Sequence, residues 1–318
     1  MNTQSALHFI GVDVASREVV IACQGEAAVH TLANEEAPLR CWLATLPANT
    51  HLGLESTGGY HLALARLAHA RGLTVYVLNP RDVRHYARAL GRRAKTDRVD
   101  AQLIARYIAQ EHAALHPWTP PTLAQARLTQ LLKRRAKLVV VKGILRASLA
   151  GLDVLRTEST AAIAQLDRLL EAMDAELKGA LRALPEGAAR CAQLRSIPGI
   201  GLLSGAALTE LFSRIRFARI EAAIAYTGFD PRPCDSGQHR GKRRLSKRGP
   251  AELRRLLYNA AMSAARTKTW KPFYQRQRAK GLPSTAALVV LARKLLRVAY
   301  ALYHHDAQFD PRRIEVLT

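Results

Sequence analysis

Residues 7–23 read LHFIGVDVASREVVIAC, and this stretch decides the fold of the first part of the chain. Residues 7–14 form an apolar run that carries one acid, Asp13, near its end, and they predict a strand. Residues 17–23 predict an antiparallel return strand, and residues 27–32 are a candidate third strand. The chain is therefore expected to begin with antiparallel strands joined by short turns.

The next segments alternate between helical and strand patterns. We expect helices at residues 36–46 and 60–71, and strands at residues 50–54 and 73–78. The last strand, LTVYVL, is apolar without alternation, as in a strand that is buried on both faces. Antiparallel strands followed by a β-α-β alternation predict a mixed sheet flanked by helices.

Two acids open the next predicted helix, in the stretch KTDRVD at residues 95–100. Asp97 and Asp100 are three residues apart, so both carboxylates share one helical face, about 5–6 Å apart at Cβ. Compensation of the helix dipole would by itself explain acids in a first turn. Carboxylate oxygens are also ligands that suit Mg²⁺ or Mn²⁺.

Two further acids stand where predicted strands end. Asp13 lies near the end of the first strand, and Glu55 follows the strand at residues 50–54. In open sheets with helices, sites form at the carboxyl ends of strands. Asp13, Glu55, Asp97 and Asp100 could converge there, and two divalent ions about 3.5–4 Å apart would then form a clamp for phosphoryl transfer.

The composition indicates a polyanionic partner. The 318 residues include 48 Lys and Arg against 25 Asp and Glu, a formal net charge of +23. Such an excess favours nucleic acid, whose phosphates would be neutralised with release of counterions. The sequence contains no uninterrupted apolar span of about 18 residues, so it predicts no membrane helix. Its N-terminus lacks the pattern of a signal peptide. Four scattered cysteines without a CxxC motif favour a reducing, cytoplasmic location.

The middle of the chain predicts two long helices. Residues 116–121, HPWTPP, break the preceding helix and mark a boundary. Residues 122–155 are basic and helix-forming, and residues 158–184 repeat apolar residues at spacings of three and four, an a/d seam formed by Leu170, Met173, Leu177, Ala180 and Leu184. The pattern predicts a coiled-coil arm, either an antiparallel hairpin or a self-association surface. We therefore expect domains at residues 1–118, 119–188 and 189–318.

The last domain is predicted to be mostly helical. Residues 194–208, LRSIPGIGLLSGAAL, fit a helix-hairpin-helix whose backbone N–H groups could bind phosphate, although an ordinary turn between two helices would look similar. Helices are also expected at residues 219–227, 250–265 and 283–303. Proline, glycine and polar residues predict a loop between the first two of these helices.

This loop is strongly basic and contains two serines of interest. Residues 230–255 carry nine Lys or Arg and three Asp or Glu. Ser246 is expected near the N-cap of the following helix. Ser236 has a small, flexible neighbour in Gly237, but a serine hydroxyl is a poor nucleophile without activation, and a turn or phosphate donor is the alternative. The candidate nucleic-acid contacts are Arg240, Lys242, Arg243, Arg244, Lys247 and Arg248.

At this point the residues resemble a known family. The segments GVDVAS, LEST-GGY and KTDRVDA resemble the RuvC-type, ribonuclease-H-like nucleases. Their order resembles in particular the DEDD transposases of the bacterial insertion-sequence-110 family, relatives of the pilin-gene invertases. The IPGIG turn, PRP-x-x-SG and RLSKRGP-x-x-LRR segments match that family's second domain.

The resemblance implies a DNA transposase or recombinase. It implies that Asp13, Glu55, Asp97 and Asp100 bind magnesium, and that Ser236 is the nucleophile. It further implies a structured bridge RNA that selects double-stranded target and donor DNA, and a dimer or a tetramer built from dimers. In such an assembly the acids and the serine can belong to different subunits.

Two other functions remain open from the sequence. A junction-resolvase type of nuclease would use the metals to activate water and form no covalent intermediate. A non-catalytic nucleic-acid-binding protein would keep the acids without using them.

Overall fold

The computed structural model describes residues 7–56, 58–91, 97–232, 235–236, 239–240 and 244–312, with the backbone alone at residues 235, 236, 239 and 240. Contacts divide the chain into two units, Met1–Pro120 and Pro121–Thr318. Each unit has its own apolar core. The further predicted division at residue 188 stays a prediction.

A five-stranded mixed sheet forms the centre of the first unit, in the order β3-β2-β1-β4-β5. Strand β1 pairs antiparallel with β2 and parallel with β4, and β5 continues the parallel side. The predicted mixed sheet is therefore confirmed. The strands are β1 His8–Val14, β2 Glu18–Cys23, β3 Val29–Ala33, β4 Thr50–Glu55 and β5 Thr74–Leu78.

Among the described residues of this unit, the α-helices that accompany the sheet are α1 Glu36–Thr45, α2 His61–Ala70, α3 Pro80–Ala89 and α4 Asp97–Glu111. Helix α3 was not predicted from the sequence. The Asn79 side chain accepts a hydrogen bond from the backbone N–H of Arg81 at 3.0 Å, and Pro80 stands in the first turn. Both features favour the start of a helix.

Two long helices, α5 Leu123–Ser148 and α6 Arg156–Arg182, begin the second unit and pack against each other. Ion pairs join Arg135 to Asp174 and Lys142 to Asp167. A residue later in α5 therefore contacts a residue earlier in α6. The two helices are therefore an antiparallel hairpin. Of the predicted seam residues, Leu170, Leu177, Ala180 and Leu184 are buried and Met173 is half-buried. Coiled-coil geometry and self-association stay predictions.

The rest of the second unit is mostly helical, as predicted. Its core includes the fully buried Trp270, Leu257, Leu291 and Leu295. Its helices are α7 Gly187–Arg195, α8 Leu202–Arg214, α9 Ile220–Thr227, α10 Ala251–Ala264, α11 Lys271–Ala279 and α12 Ser284–His305. None of the helices among the described residues offers the long apolar stretch that a bilayer crossing requires.

The segment between α9 and α10 departs from the predicted loop. Its described residues include four two-residue strands that form two small antiparallel sheets. Strand β6 Pro231–Arg232 pairs with β9 Arg244–Leu245, and β7 Asp235–Ser236 pairs with β8 His239–Arg240. Strands of two residues are too short to give a periodic pattern in sequence, which is why none was predicted.

The IPGIG turn joins α7 to α8, with Gly201 as the N-cap of α8. Gly199 has a φ of +100°, and a Cβ there would lie 2.5 Å from the Cβ of Ala264 on α10. Glycine is therefore required both by the backbone conformation and by close packing. The predicted phosphate contact of a helix-hairpin-helix stays a prediction.

Candidate functional site

Asp13 and Glu55 lie on neighbouring parallel strands of the first unit. Val12 of β1 is paired with Leu54 of β4, and the next step of this register sets Asp13 beside Glu55. Both acids are at the carboxyl ends of their strands, where sites form in open sheets of this kind. The sheet therefore brings together two acids that are separated by 42 positions in the sequence.

A pair of glycines positions α4 across these strands. Gly11 and Gly53 are paired in the register of β1 and β4. A Cβ at Gly11 would lie 2.2 Å from the carbonyl oxygen of Ala101 and 2.2 Å from the backbone nitrogen of Ala105. The backbone of α4 therefore passes directly over Gly11. Side chains alternate along a strand, so Asp13 and Glu55 share the α4 face with these glycines.

The first turn of α4 carries the other two acids, Asp97 and Asp100. It precedes the residues that contact Gly11, so its carboxylates come into electrostatic range of Asp13. The neighbouring Arg98 donates a hydrogen bond from Nη2 to the carbonyl oxygen of Ala27 at 2.7 Å. This contact fixes the start of α4 against the segment that precedes β3.

The electrostatics of Asp13 reflect this arrangement. The pKa of Asp13 is raised from 3.8 to about 6, first by burial and then by repulsion from Asp100, Asp97 and Glu55. The backbone N–H of Val14 opposes the shift by donating a hydrogen bond to this carboxylate. Glu55, Asp97 and Asp100 therefore all lie within electrostatic range of Asp13.

This set of groups fits a divalent cation in its chemistry, since hard carboxylate oxygens and shared negative charge favour such an ion. The four side chains are not arranged as a complete coordination sphere. Within the part of the chain that the structure describes, no three His, Cys, Asp or Glu side chains form a group that could hold a metal ion directly. The assignment of Asp13, Glu55, Asp97 and Asp100 as metal ligands stays a prediction.

The roles of Gly11 and Gly53 were not predicted from the sequence. Each glycine interrupts an apolar strand pattern, and such a position often marks the close approach of another backbone. That signal was present in the segments FIGVD and HLGLE. An interrupting glycine indicates that another backbone comes close, but it does not indicate which helix will pack there.

Ser236 lies on the second unit, in strand β7, where it is paired with His239 of β8. Its side chain and those of Asp235, His239 and Arg240 are outside the described residues, as are all atoms of Lys242 and Arg243. The predicted nucleophile and part of the predicted basic surface therefore stay predictions. Arg244 lies on β9, and Arg244, Lys247 and Arg248 have exposed side chains.

Ser246 does not cap α10, contrary to the prediction. The N-cap of α10 is Pro250, which also corrects the expectation that the proline would lie inside the helix. Ser246 is buried, and its hydroxyl donates a hydrogen bond to the carboxylate of Asp230. The Ser246 backbone N–H also donates to the Asp230 carbonyl oxygen at 3.0 Å. Ser246 therefore closes the base of the loop that carries Ser236.

The fold and the acids together define a class of protein. A mixed sheet with acids at the ends of two parallel strands, and more acids on a helix packed across them, is compatible with the RuvC-like fold of ribonuclease-H-type enzymes.

Comparisons with known proteins identify the family. A DEDD transposase model of the IS110 type matches residues 10–143, and a model described as Transposase IS116/IS110/IS902 family matches residues 191–275. The pilin gene-inverting protein of Moraxella lacunata is 30% identical over 283 residues, which cover 86% of this chain and 87% of that protein. The pilin gene-inverting protein of Moraxella bovis is 29% identical over 321 residues, covering 96% and 98%. The transposase for insertion sequence element IS1111A of Coxiella burnetii is 25% identical over 294 residues, covering 82% and 78%.

The chain therefore belongs to the IS110 family of DEDD transposases and recombinases, which confirms the resemblance found in the sequence. It is an enzyme that acts on DNA, of the insertion-sequence transposase or DNA-inverting type. Membership also indicates the use of a divalent metal. The first matched segment includes the four acids, and the second includes Ser236.

Proposed function

We propose that this enzyme cuts and rejoins double-stranded DNA by metal-assisted attack of Ser236 on a phosphodiester. One observation supports the proposal most: the carboxylates of residues 55, 97 and 100 all repel that of Asp13 and, together with burial, raise its pKa. A cluster of this kind is suited to two Mg²⁺ ions, with Mn²⁺ as a substitute. Magnesium would polarise the scissile phosphate and neutralise its charge.

Each residue set has its own task in the proposed reaction. Asp13, Glu55, Asp97 and Asp100 would hold the ions beside the scissile phosphate. The Ser236 oxygen forms a bond to phosphorus while the bond from phosphorus to one sugar oxygen breaks. The serine proton passes to solvent, and the departing sugar oxygen takes up a proton. The resulting phosphoserine ester keeps the energy of the broken bond available for rejoining.

The basic surface and the subunits complete the proposal. The net charge of +23 suits an enzyme that holds DNA together with a structured bridge RNA, which would select the donor and target sites. We place the reaction in the cytoplasm and in a homodimer or homotetramer. The acids and Ser236 lie on different units of the chain, so a subunit could also present its serine to the acids of a neighbour.

A covalent adduct tests the serine directly. The protein would be expressed in cells that carry a plasmid with the DNA that flanks its own gene, and protein–DNA adducts would be precipitated with detergent. We expect an adduct in the wild type and in Ser263→Ala, a matched change at an exposed serine of α10. We expect none in Ser236→Ala. An adduct that persists in Ser236→Ala would refute the serine assignment.

A hydrolytic nuclease is the second candidate, because the acids come together entirely within the first unit. In that reaction water would replace Ser236 as the nucleophile. The same plasmid would then be cut normally by Ser236→Ala and left intact by Asp13→Ala. Loss of cutting in both variants would instead support the transposase mechanism.

A further inference from the structure

A basic groove lies between α11 and α12 in the second unit. It encloses a cavity of about 510 Å³. Five of the residues that line it are cationic: Arg276 on α11, Lys280 at the C-cap of α11, and Arg293, Lys294 and Arg297 on α12. The described residues that line the cavity include no carboxylate. None of these five residues belongs to the basic loop in which nucleic-acid contacts were predicted from the sequence.

The groove is built by one face of each helix. The lining residues of α11 and its C-cap are at positions 273, 276, 277 and 280, and those of α12 are at positions 290, 293, 294 and 297. Both sets follow the spacing i, i+3, i+4, i+7, which defines a single helical face. The two faces pack toward each other, so the cations line both walls of the groove.

Of these cations, Arg297 is paired and Arg293 is only partly compensated. Arg297 donates a hydrogen bond from Nη1 to Oε1 of Glu221 at 2.9 Å. Arg293 is attracted by Asp230, but its buried Nε has no hydrogen-bond partner within the described part of the chain. Burial and repulsion from Arg297 lower the pKa of both Arg293 and Lys294. An anion in the groove would relieve this repulsion and could accept the unused N–H.

The groove also adjoins the base of the serine loop. Asp230 attracts Arg293 and also accepts the hydrogen bonds of Ser246. It immediately precedes β6, from which the chain continues to Ser236. A polyanion that follows the groove past Arg293 would therefore arrive where this loop begins.

The size and charge of the groove favour a polymer over a single small anion. Arg293 and Arg297 are four residues apart, about 6 Å along a helix. Successive charges on one nucleic-acid strand are spaced by about 3.4 Å along the axis, so one wall spans about two phosphates. Five cations exceed the charge of one phosphate and match a short run of them.

We propose that this groove binds the phosphodiester backbone of a nucleic acid and leads it to the root of the serine loop. The inference rests on the proposed function, because a DNA recombinase must hold a strand beside its nucleophile. The backbone chemistry is shared by duplex DNA and structured RNA.

Equilibrium binding tests the groove. The full-length protein with Ser236→Ala would be titrated in EDTA against a fluorescent 30-base-pair DNA and, separately, a fluorescent RNA hairpin. The groove variant carries Arg276→Gln, Arg293→Gln and Lys294→Gln. The control carries Arg168→Gln, Lys178→Gln and Arg182→Gln, which remove the same charge from exposed positions of α6.

We expect the groove variant to lose at least about tenfold in affinity and its salt slope to fall by about 3, about one unit for each phosphate contact. The control should stay within about threefold of the parent. A loss of affinity for only one probe supports the groove and identifies DNA or RNA as its ligand. A loss of affinity for both probes supports a site common to the two. Binding equal to that of the control on both probes would overturn the proposal.

A second variant separates binding from folding. Arg276→Lys with Arg293→Lys keeps the charges, so it should bind within about threefold of the parent, and thermal melting should show all variants folded. A charge-keeping variant that binds as weakly as the glutamine variant would contradict a backbone site. Because no strand is cut in EDTA, failure of the serine mechanism would leave this measurement intact.

Discussion

Asp13 ionises in a half-buried position near three other carboxylates, and its pKa is raised from 3.8 to about 6. An acid whose pKa is higher in the folded state stabilises the fold at low pH, and this contribution is lost as the pH rises through about 6. At neutral pH, in the absence of metal, the ionised carboxylate therefore opposes folding.

Asp13→Asn should consequently stabilise the metal-free protein at pH 7.5. We expect a gain of about 1 kcal/mol in the free energy of unfolding, after allowance for screening by solvent, and this gain should vanish near pH 4. Thermal melts in EDTA across this pH range would measure it. Glu111→Gln, at the other end of α4, is the control and should show no such gain. An Asp13→Asn protein that melts lower than the wild type at pH 7.5 would contradict the electrostatic account.

Gly11 offers a steric test of how α4 is placed. A methyl group there would collide with the backbone of Ala101 and Ala105 at 2.2 Å, whereas at Gly53 it would meet the side-chain methyl groups of Ile104 and Ile108 at 2.8 and 2.9 Å. Side chains can move aside more easily than helix backbone. Gly11→Ala should therefore destabilise by about 3 kcal/mol or more, and Gly53→Ala by less. Urea unfolding of the two variants measures the difference, and equal losses would show that α4 does not lie as described.

At the scale of single residues, the sequence pointed to the candidate acids but not to the glycines that allow α4 to pack beside them. Asp13 and Glu55 were found because strand ends are readable from apolar patterns. Gly11 and Gly53 were not found, because the helix that covers them starts over 40 positions later. Ser246 was expected to cap α10, but it bonds to Asp230 instead. A hydrogen bond between residues 16 positions apart leaves no local signal.

The hairpin of α5 and α6 shows how ion pairs differ within one element. Arg135 binds Asp174 through two hydrogen bonds of 2.5 and 2.9 Å, and both side chains are largely covered. Arg127 and Glu176 form a pair whose side chains are more than half exposed. Geometry and burial both favour the first pair.

We expect Asp174→Asn to destabilise the protein by about 1–2 kcal/mol and Glu176→Gln by less than about 0.5 kcal/mol. Chemical denaturation of both variants at low salt measures the two losses. A larger loss for Glu176→Gln would contradict the described packing of the hairpin.

Element by element, the long helices were easier to predict than the short ones. The helices α5, α6 and α12 have enough turns for their apolar spacing to be read. The helix α7 has nine residues, and its N-cap, Glu186, adopts a left-handed conformation, so no start signal is visible in its sequence. The helix α11, KPFYQRQRA, is so polar that no apolar stripe marks it. Its basic face became informative only when α12 was seen beside it.

For the whole molecule, the net charge of +23 predicts steeply salt-dependent binding to nucleic acid. If six or more phosphates are contacted, affinity for duplex DNA should fall at least about 10³-fold between 50 and 200 mM salt. Fluorescence anisotropy with one DNA at several salt concentrations measures this slope. A nearly flat dependence would show that the basic residues do not contact phosphates.

The whole-molecule charge was fully readable from the sequence, and the family could be inferred from the acid motifs and the segments around Ser236. The relation of the acids to Ser236 could not be read, because these groups lie on different units of the chain. A charge pattern identifies a partner class, whereas the meeting of two distant sites depends on assembly and on the bound DNA.

The most direct test of the central claim is a titration with Mn²⁺, followed by the electron paramagnetic resonance signal of the free ion. The account predicts that the wild type and Glu111→Gln bind Mn²⁺ alike, whereas Asp13→Asn and Asp97→Asn each lose at least about tenfold in affinity. Unchanged Mn²⁺ binding in both Asp13→Asn and Asp97→Asn would contradict a shared metal site.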